Sequence, residues 1–462
     1  MAEPGKFLSG NLMQHVSVMS FTASVGLMAM FAVDFVDMVF IGMLGNEALA
    51  AAVGYAGTVL FFTNSVNIGL SIAAGSLAAR AIGAGEQDKA QSYATSVAAL
   101  GLVVGLIVPL LILATLPQVL GFLGAEGEVA RLAARYLTII LPTMPVVALA
   151  MTGMAILRAY GDARRSMMAT LIGGCVNAVL DPLFIFGLGL GLDGAALATV
   201  VARFAMLLMA IRPALRVHQA FARPQLGRIR QDLGAVSGIA SPAVLTNVAT
   251  PVGTAIVTRE MAAYGTEAVA GMAVIGRLMP MAFAVVLALS GAIGPIIGQN
   301  FGARQFDRVR GAINSGVLFS GLYVLAATVV LFFLREPIAA LFQAEGLTKQ
   351  LIFLFCGPLA LASFFNAMIY VGNASFNNLG HPIYSTWINW GRHTLGTWPF
   401  AVLGAHLGGA AGILIGQAIG GVIFAALSYA LVMRVAAQLT ETRPVDPFQS
   451  QGRLHGLFGR HH

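Results

Sequence analysis

The chain repeats itself at about half its length. Gly45-Asn46-Glu47-Ala48-Leu49-Ala50-Ala51 returns about 220 residues later as Gly265-Thr266-Glu267-Ala268-Val269-Ala270-Gly271. Gly83-Ala84-Gly85-Glu86-Gln87-Asp88 returns as Gly302-Ala303-Arg304-Gln305-Phe306-Asp307. Arg158-Ala159-Tyr160-Gly161-Asp162 has a looser echo in Asn377-Asn378-Leu379-Gly380-His381, and Gly194-Ala195-Ala196 comes back as Gly409-Ala410-Ala411. Four echoes in order, at nearly constant offset, are an internal duplication. A duplication confines the fold to two similar halves, and in an oily chain the seam between such halves is where a transported solute passes.

Composition says where the halves live. Of 462 residues, 58% are hydrophobic and 10% charged, against about 25% charged in a soluble domain. Too little polar surface is left to face water. Each bilayer crossing takes about 20 apolar residues, which leaves room for about a dozen. Apolar runs without strict alternation argue that the backbone is satisfied in helices. The expected fold is an all-α membrane protein of twelve transmembrane helices in two six-helix lobes related by a pseudo-two-fold axis. The expected spans are 13–42, 48–79, 91–116, 128–157, 163–187 and 193–215, then 234–263, 268–299, 309–334, 347–376, 383–405 and 410–438. Residues 1–215 form the N-lobe, 216–233 a basic cytoplasmic linker, 234–440 the C-lobe and 441–462 a mobile polar tail.

The net charge of +7 does not point to nucleic acid, because the basic residues sit in short loops between oily runs. Arg80, Lys89, Arg158, Arg164, Arg165, Arg304, Arg308 and Arg310 fall in the even-numbered connections, so that side is cytoplasmic, with both termini inside. Six crossings per half is an even number, so the halves share one orientation and their axis runs along the membrane normal. The first oily run, about His15 to Leu44, is too long for a cleaved signal and contains Asp34 and Asp37. Cys175 and Cys356 fall in spans and read as packing residues without a disulfide. No phosphate loop, metal spacing or nucleophile constellation supports an enzyme or a cofactor.

Ionisable residues inside spans are costly and therefore candidates for function. Asp34 and Asp37 lie three apart in the first helix, and Asn177 and Asp181 lie four apart on one face of the fifth. A carboxylate in an apolar cavity can exchange a proton near neutral pH, or it can offer oxygen to a small cation alongside amide and hydroxyl groups. The competing reading makes Asp181, followed by Pro182, a helix-end residue. Arg203, Arg277 and Arg392 also fall in spans, and tying free carbonyls between helices is the plain explanation for them.

These segments resemble the multidrug and toxic compound extrusion (MATE) transporters. The resemblance runs over about residues 15–440. It rests on Val36-Asp37-Met38 with Gly42, on Arg158…Gly161-Asp162, on Asp181-Pro182-Leu183-Phe184-Ile185-Phe186 followed by Gly194-Ala195-Ala196, and on Gly298-Gln299-Asn300-Phe301-Gly302-Ala303. The chain is most similar to the DNA-damage-inducible branch. That likeness implies an N-lobe cation site at Asp37, Tyr136, Asn177, Asp181 and Thr199, with Asp34 nearby. The first helix departs from the branch in lacking its proline. Thr22 stands where Pro242 stands in the second half, and Gly26 is left as the place for a bend.

The resemblance implies a monomeric, multi-pass antiporter of the bacterial inner membrane. It would export amphipathic, often cationic, organic compounds in exchange for H+, with Na+ as the second choice of coupling ion. The rival is a flippase for lipids or lipid-linked sugars, which would need a basic groove, with Arg203, Arg277 and Arg392 as candidates.

Overall fold

The computed structural model describes residues 5–44 and 46–439, so Gly45 and the tail 441–462 lie outside the described residues. Among the described residues all regular structure is helical. The first half holds α1 (Leu12–Met43), α2 (Glu47–Gly83), α3 (Gln87–Ala114), α4 (Leu116–Phe122), α5 (Gly127–Ile140), α6 (Met144–Ala159), α7 (Ala163–Pro182) and α8 (Leu192–Arg216). The second holds α9 (Leu226–Ala262), α10 (Thr266–Ala282), α11 (Ala284–Gly302), α12 (Phe306–Leu341), α13 (Gly346–Leu354), α14 (Ala360–Leu379), α15 (Pro382–His393) and α16 (Trp398–Ala437).

These helices make twelve crossings because several crossings are broken. The fourth, α5 with α6, is interrupted by a 3-10 turn at Leu141–Thr143, where Pro142 and Pro145 bring no N–H to the ladder. The eighth divides at Phe283 (φ −115°, ψ 25°), just after Pro280. The tenth, α13 with α14, widens into a π turn at Phe355–Leu359, around Gly357 and Pro358. Residues Pro382–Ala437 number 56, about 84 Å of helix at 1.5 Å per residue, against a hydrocarbon core of about 30 Å.

That stretch therefore folds back, at Gly408 and Gly409. A Cβ added to Gly412 would lie 1.9 Å from the Gly404 oxygen, one on Gly416 2.0 Å from that of Phe400, and one on Gly420 1.5 Å from that of Gly396. All three pairs are centred on residue 408. The arms are thus antiparallel, backbone against backbone, and form crossings eleven and twelve.

The duplication is structural as well as sequential. Gly124, Gly127 and Gly161 take φ of 89°, 55° and 77°, and their mates 219 residues on, Gln343, Gly346 and Gly380, take 48°, 53° and 84°. Gly85 and Arg304 match in the same way. The fourth echo shifts register. Gly191 (φ 54°), which opens the sixth crossing, pairs with Gly409 (φ 60°), so the mate of Gly194 is Gly412 rather than Gly409. Both of those glycines lie directly on neighbouring backbone, Gly194 on Phe184 and Gly412 on Gly404.

The linker is shorter than expected. α9 begins at Leu226 rather than 234, because its polar first turns continue the helix beyond the apolar run. Asp232 in those turns accepts from the Ser92 and Ser96 hydroxyls of α3 at 2.9 and 2.6 Å. The non-helical remainder is pinned to the N-lobe, with His218 Nε2 2.9 Å from Asp162 Oδ2 at the start of α7 and the Ala222 N–H donating to Thr95 of α3.

The lobes meet at one end. A Cβ on Gly83 would lie 2.0 Å from the Gln299 oxygen, and one on Gly302 2.0 Å from the Arg80 oxygen. Gly83 and Gly302 are repeat mates, and so are Arg80 and Gln299, so each half presents what it receives, as in a two-fold interface. The residues before α1 seal this end. The Lys6 ammonium donates to the Gly161 oxygen, the Phe7 N–H donates to Gln299 Oε1, and the Phe7 oxygen accepts from Asn300 and Arg308. The span Ala284–Gly302 is 83% buried there. Away from it Phe35 and Met38 of α1, Phe61 and Phe62 of α2 and Met281 of α10 are exposed. A cleft between the lobes thus closes at the even-numbered connections and opens toward the odd-numbered ones.

Candidate cation site

α1 and α7 run side by side because small residues let them approach. A Cβ on Gly26 would lie 3.3 Å from Thr170, and one on Gly174 3.4 Å from Val33. α1 is unbroken from Leu12 to Met43. Beyond the Val33 contact, this packing delivers Asp37 to Asn177 and Asp181. The Asn177 amide donates to Asp37 Oδ2 at 3.0 Å and to Asp181 Oδ2 at 2.7 Å. Asn177 and Asp181 are buried, and the two carboxyl groups stand close enough to share a proton. Asp37 Oδ1, Asn177 Oδ1 and Asp181 Oδ1 are buried and make no hydrogen bond among the described residues. Buried acceptors without donors are costly, and a proton or a cation would satisfy them. Pro182 does not end the fifth crossing, which continues as a π turn over Leu183–Gly187, and Asp181 joins this cluster rather than capping a helix end.

Tyr136 stands beside Thr199 and Arg203, within electrostatic reach of both carboxylates. The Thr199 hydroxyl donates to the Ala195 oxygen at 3.0 Å. Arg203 donates to the Ile140 oxygen at 3.1 Å and to Thr143 at 2.7 Å, so it fastens α8 to the break in the fourth crossing just beyond Tyr136. Asp34 lies next to Asp37 in the same helix, but it is exposed and makes no hydrogen bond with the cluster.

The three span arginines do not share a groove. Arg203 is tied within the N-lobe, and Arg392 donates to Asn366 Oδ1 at 2.5 Å within the C-lobe. Of the three, Arg277 alone is exposed. α10 turns Ile275, Leu278, Met279 and Ala282 onto the C-lobe core, which leaves Arg277 on the opposite side.

Sequence reasoning left Gly298-Gln299-Asn300 and Arg158…Asp162 without roles. Gln299 Nε2 donates to the Ala159 oxygen at 2.7 Å, and Asn300 accepts from Arg308 at 2.9 Å, which makes that motif a bolt across the closed end. Burial would raise the Asp162 carboxyl. Hydrogen bonds from His218 and from the Arg165 side chain and N–H outweigh it and hold the group well below the ordinary carboxylate range.

The MatE family profile matches residues 23–183 and 242–403, one block in each half. The FAD transporter of Shewanella oneidensis is 29% identical over 442 residues, covering 92% of this chain and 95% of that protein. The multidrug export protein MepA of Staphylococcus aureus is 26% identical over 317 residues, 67% of this chain and 69% of that one. The crystal structure of the Vibrio cholerae MATE transporter VcmN in its bent form superposes with a TM-score of 0.87 at 26% identity, over 92% of this chain and 97% of that one. With a matched block in each lobe and the twelve-crossing fold around them, this chain belongs to the MATE family of multi-pass membrane transporters.

Proposed function

We propose that the protein is a secondary antiporter of the bacterial inner membrane that exports amphipathic organic compounds in exchange for protons. The observation that carries this reading is the Asp37–Asn177–Asp181 cluster, buried in one lobe with three unsatisfied oxygens. The proton is favoured over Na+ by the amide. Its nitrogen lies between the carboxylates, so its oxygen turns away from the point a metal ion would share with them.

α1 is the coupling element. Its far half carries Asp37. Its near half packs Val16 and Met19 into the C-lobe core with α11 and sets Phe21 edge-on to Phe319 at 5.5 Å. Proton binding that changes how α1 sits on α7 therefore changes how the lobes meet, and alternating access follows if the two states bind the proton unequally. With the even-numbered side cytoplasmic, the state described here is open outward. The chain acts as a monomer, since each lobe supplies one wall of the cleft.

A second reading of the substrate is favoured by Arg277. An exposed arginine on α10, with no carboxylate paired to it among the described residues, suits a solute that carries negative charge if α10 turns it to the cleft. The relative named as an FAD transporter makes a phosphate-bearing flavin nucleotide the natural instance. The test is transport in everted vesicles under an imposed pH gradient. Export of dye or flavin should collapse with a protonophore and should ignore replacement of Na+ by a bulky cation. Stimulation by a Na+ gradient at equal pH would replace the proton with Na+.

A further inference from the structure

The closed end of the cleft has a floor with its own chemistry. A cavity of about 70 Å³ lies where helices of both lobes meet, lined by Ser71, Ser76 and Arg158 from the N-lobe and by Ser290, Asn377 and Asn378 from the C-lobe. No carboxylate lines it. Gly291, at its mouth, is exposed toward the cleft, and a Cβ there would lie 3.7 Å from Arg158 Nε, so the missing side chain keeps the guanidinium within reach.

The spare donors at the cavity belong to Arg158, Ser290 and Asn377, while Asn377 Oδ1 and Asn378 Oδ1 are acceptors without a partner among the described residues, which a protonated phosphate oxygen would satisfy. Among the described residues Arg158 makes one hydrogen bond, from Nη1 to the Ser166 hydroxyl at 3.0 Å, and pairs with no acid. Ser290 and the Asn377 amide nitrogen donate to nothing else among the described residues. Arg80 donates to the Asn377 oxygen, as does Ser76 at 2.9 Å, which places a second positive charge behind the same wall. One guanidinium, a free hydroxyl and a free amide N–H around a phosphate-sized space, with the Arg80 charge behind them, form a donor set suited to a tetrahedral oxyanion.

We propose that this pocket binds a phosphate group, free or at the end of an organic phosphate, between the two lobes. Both lobes supply donors, so the site is complete only when this end is closed, and a bound phosphate favours the state open on the other side. A phosphate carried by a solute in the cleft would be anchored here, and free phosphate would act as a state-selective effector. The proposal does not depend on proton coupling at Asp37.

The test is calorimetric titration of the full-length protein in nanodiscs with inorganic phosphate at fixed ionic strength. Wild type should bind saturably. Arg158→Gln should weaken binding by about tenfold or more and Ser290→Ala by a few-fold, as expected for the loss of a charged and a neutral hydrogen bond. Ser290→Ala removes one hydroxyl without touching Arg158, so weakening by it cannot be blamed on misfolding. Asp37→Asn should still bind phosphate saturably, even where its export fails. A nucleoside monophosphate that displaces phosphate and is itself exported would mark the pocket as a substrate anchor. One that displaces phosphate without being exported would mark an effector site. No saturable binding, or equal binding by wild type, Arg158→Gln and Ser290→Ala, would overturn the proposal.

Discussion

The two lobes have one topology and opposite chemistry. Carrying the offset of 219 to 220 residues across the repeat, the mates of Asp37, Tyr136, Asn177 and Asp181 are Val257, Phe355, Gly396 and Phe400. Val257 is fully buried beside Met261, Leu351 and Leu414, and Phe355 is part of an apolar cluster with Phe283 and Ile352. The cavity between α1, α5, α7 and α8 that holds a carboxylate pair in one half is packed with hydrocarbon in the other. The C-lobe interior instead carries Arg392 beside Asn366, and Arg277 stands exposed on α10. The halves keep their helices and turns in common, while the buried carboxylate pair stands in one half alone.

The sharpest way to break this comparison is to remove charge from one lobe and bulk from the other. Asp37→Asn and Asp181→Asn should each reduce gradient-driven export to the level of empty vesicles at normal expression. The mates Phe355→Leu and Phe400→Leu, which nearly conserve volume, should keep export within about threefold. If the C-lobe changes cost as much as the carboxylates, coupling is not confined to the N-lobe.

The seam comes next. Gly302→Val places a side chain on the Arg80 backbone, where even a Cβ would sit 2.0 Å from an oxygen. It should stop the even-numbered side from closing and abolish most export. Distances between spin labels on the even-numbered loops of the two lobes should lengthen, and unchanged distances would remove Gly302 from the closure.

The neutral members of the candidate cation site should matter less than its carboxylates. Asn177→Ala, Tyr136→Phe and Thr199→Ala should each slow export by several-fold, with Asn177→Ala the largest because its amide bridges both acids. Vesicle transport at one fixed pH gradient would rank them. Arg203→Ala should act mainly on stability. It would forfeit two hydrogen bonds from a charged donor, about 1–3 kcal/mol, visible as a lowered melting temperature in detergent.

The smallest expected effect lies outside the membrane. The Asp162 carboxyl is held below its ordinary range in the folded protein. Its contribution is therefore complete above about pH 3.9, the unfolded value, and fades as pH falls further. Asp162→Asn should lower the melting temperature slightly at neutral pH, and the gap from wild type should narrow in acid. A gap independent of pH would mean that the charge of Asp162 contributes nothing.

Much of this was legible in the chain. Periodic glycines and long apolar runs announced twelve crossings and two halves, because a bilayer accepts few alternatives to the helix and a duplicated gene keeps its turns. The break at Gly408 and Gly409 fell between two expected spans for the same reason. Hydropathy could not mark the start of α9, whose first turns are polar and lie in water, nor the breaks at Leu141–Thr143 and Phe283, which leave the apolar run intact. The register of the last echo was also invisible, since Gly-Ala-Ala recurs too readily in such helices to be placed without the left-handed glycine.

The site divides in the same way. Spacing alone puts Asn177 and Asp181 on one face of one helix, and an acid inside a span stands out whatever its partners. That Asp37 rather than Asp34 joins them depends on how α1 lies against α7, a contact between residues 140 apart in sequence. That Arg203 is tied down while Arg277 is left exposed, and that Arg158 shares a cavity with Ser290 and Asn377, likewise depends on how the segments pack. The sequence alone fixes the number of crossings, their pairing into halves and the residue types able to hold a proton. Only the tertiary structure decided which of those residues meet, because burial and hydrogen bonding depend on distances between segments that local propensity does not specify.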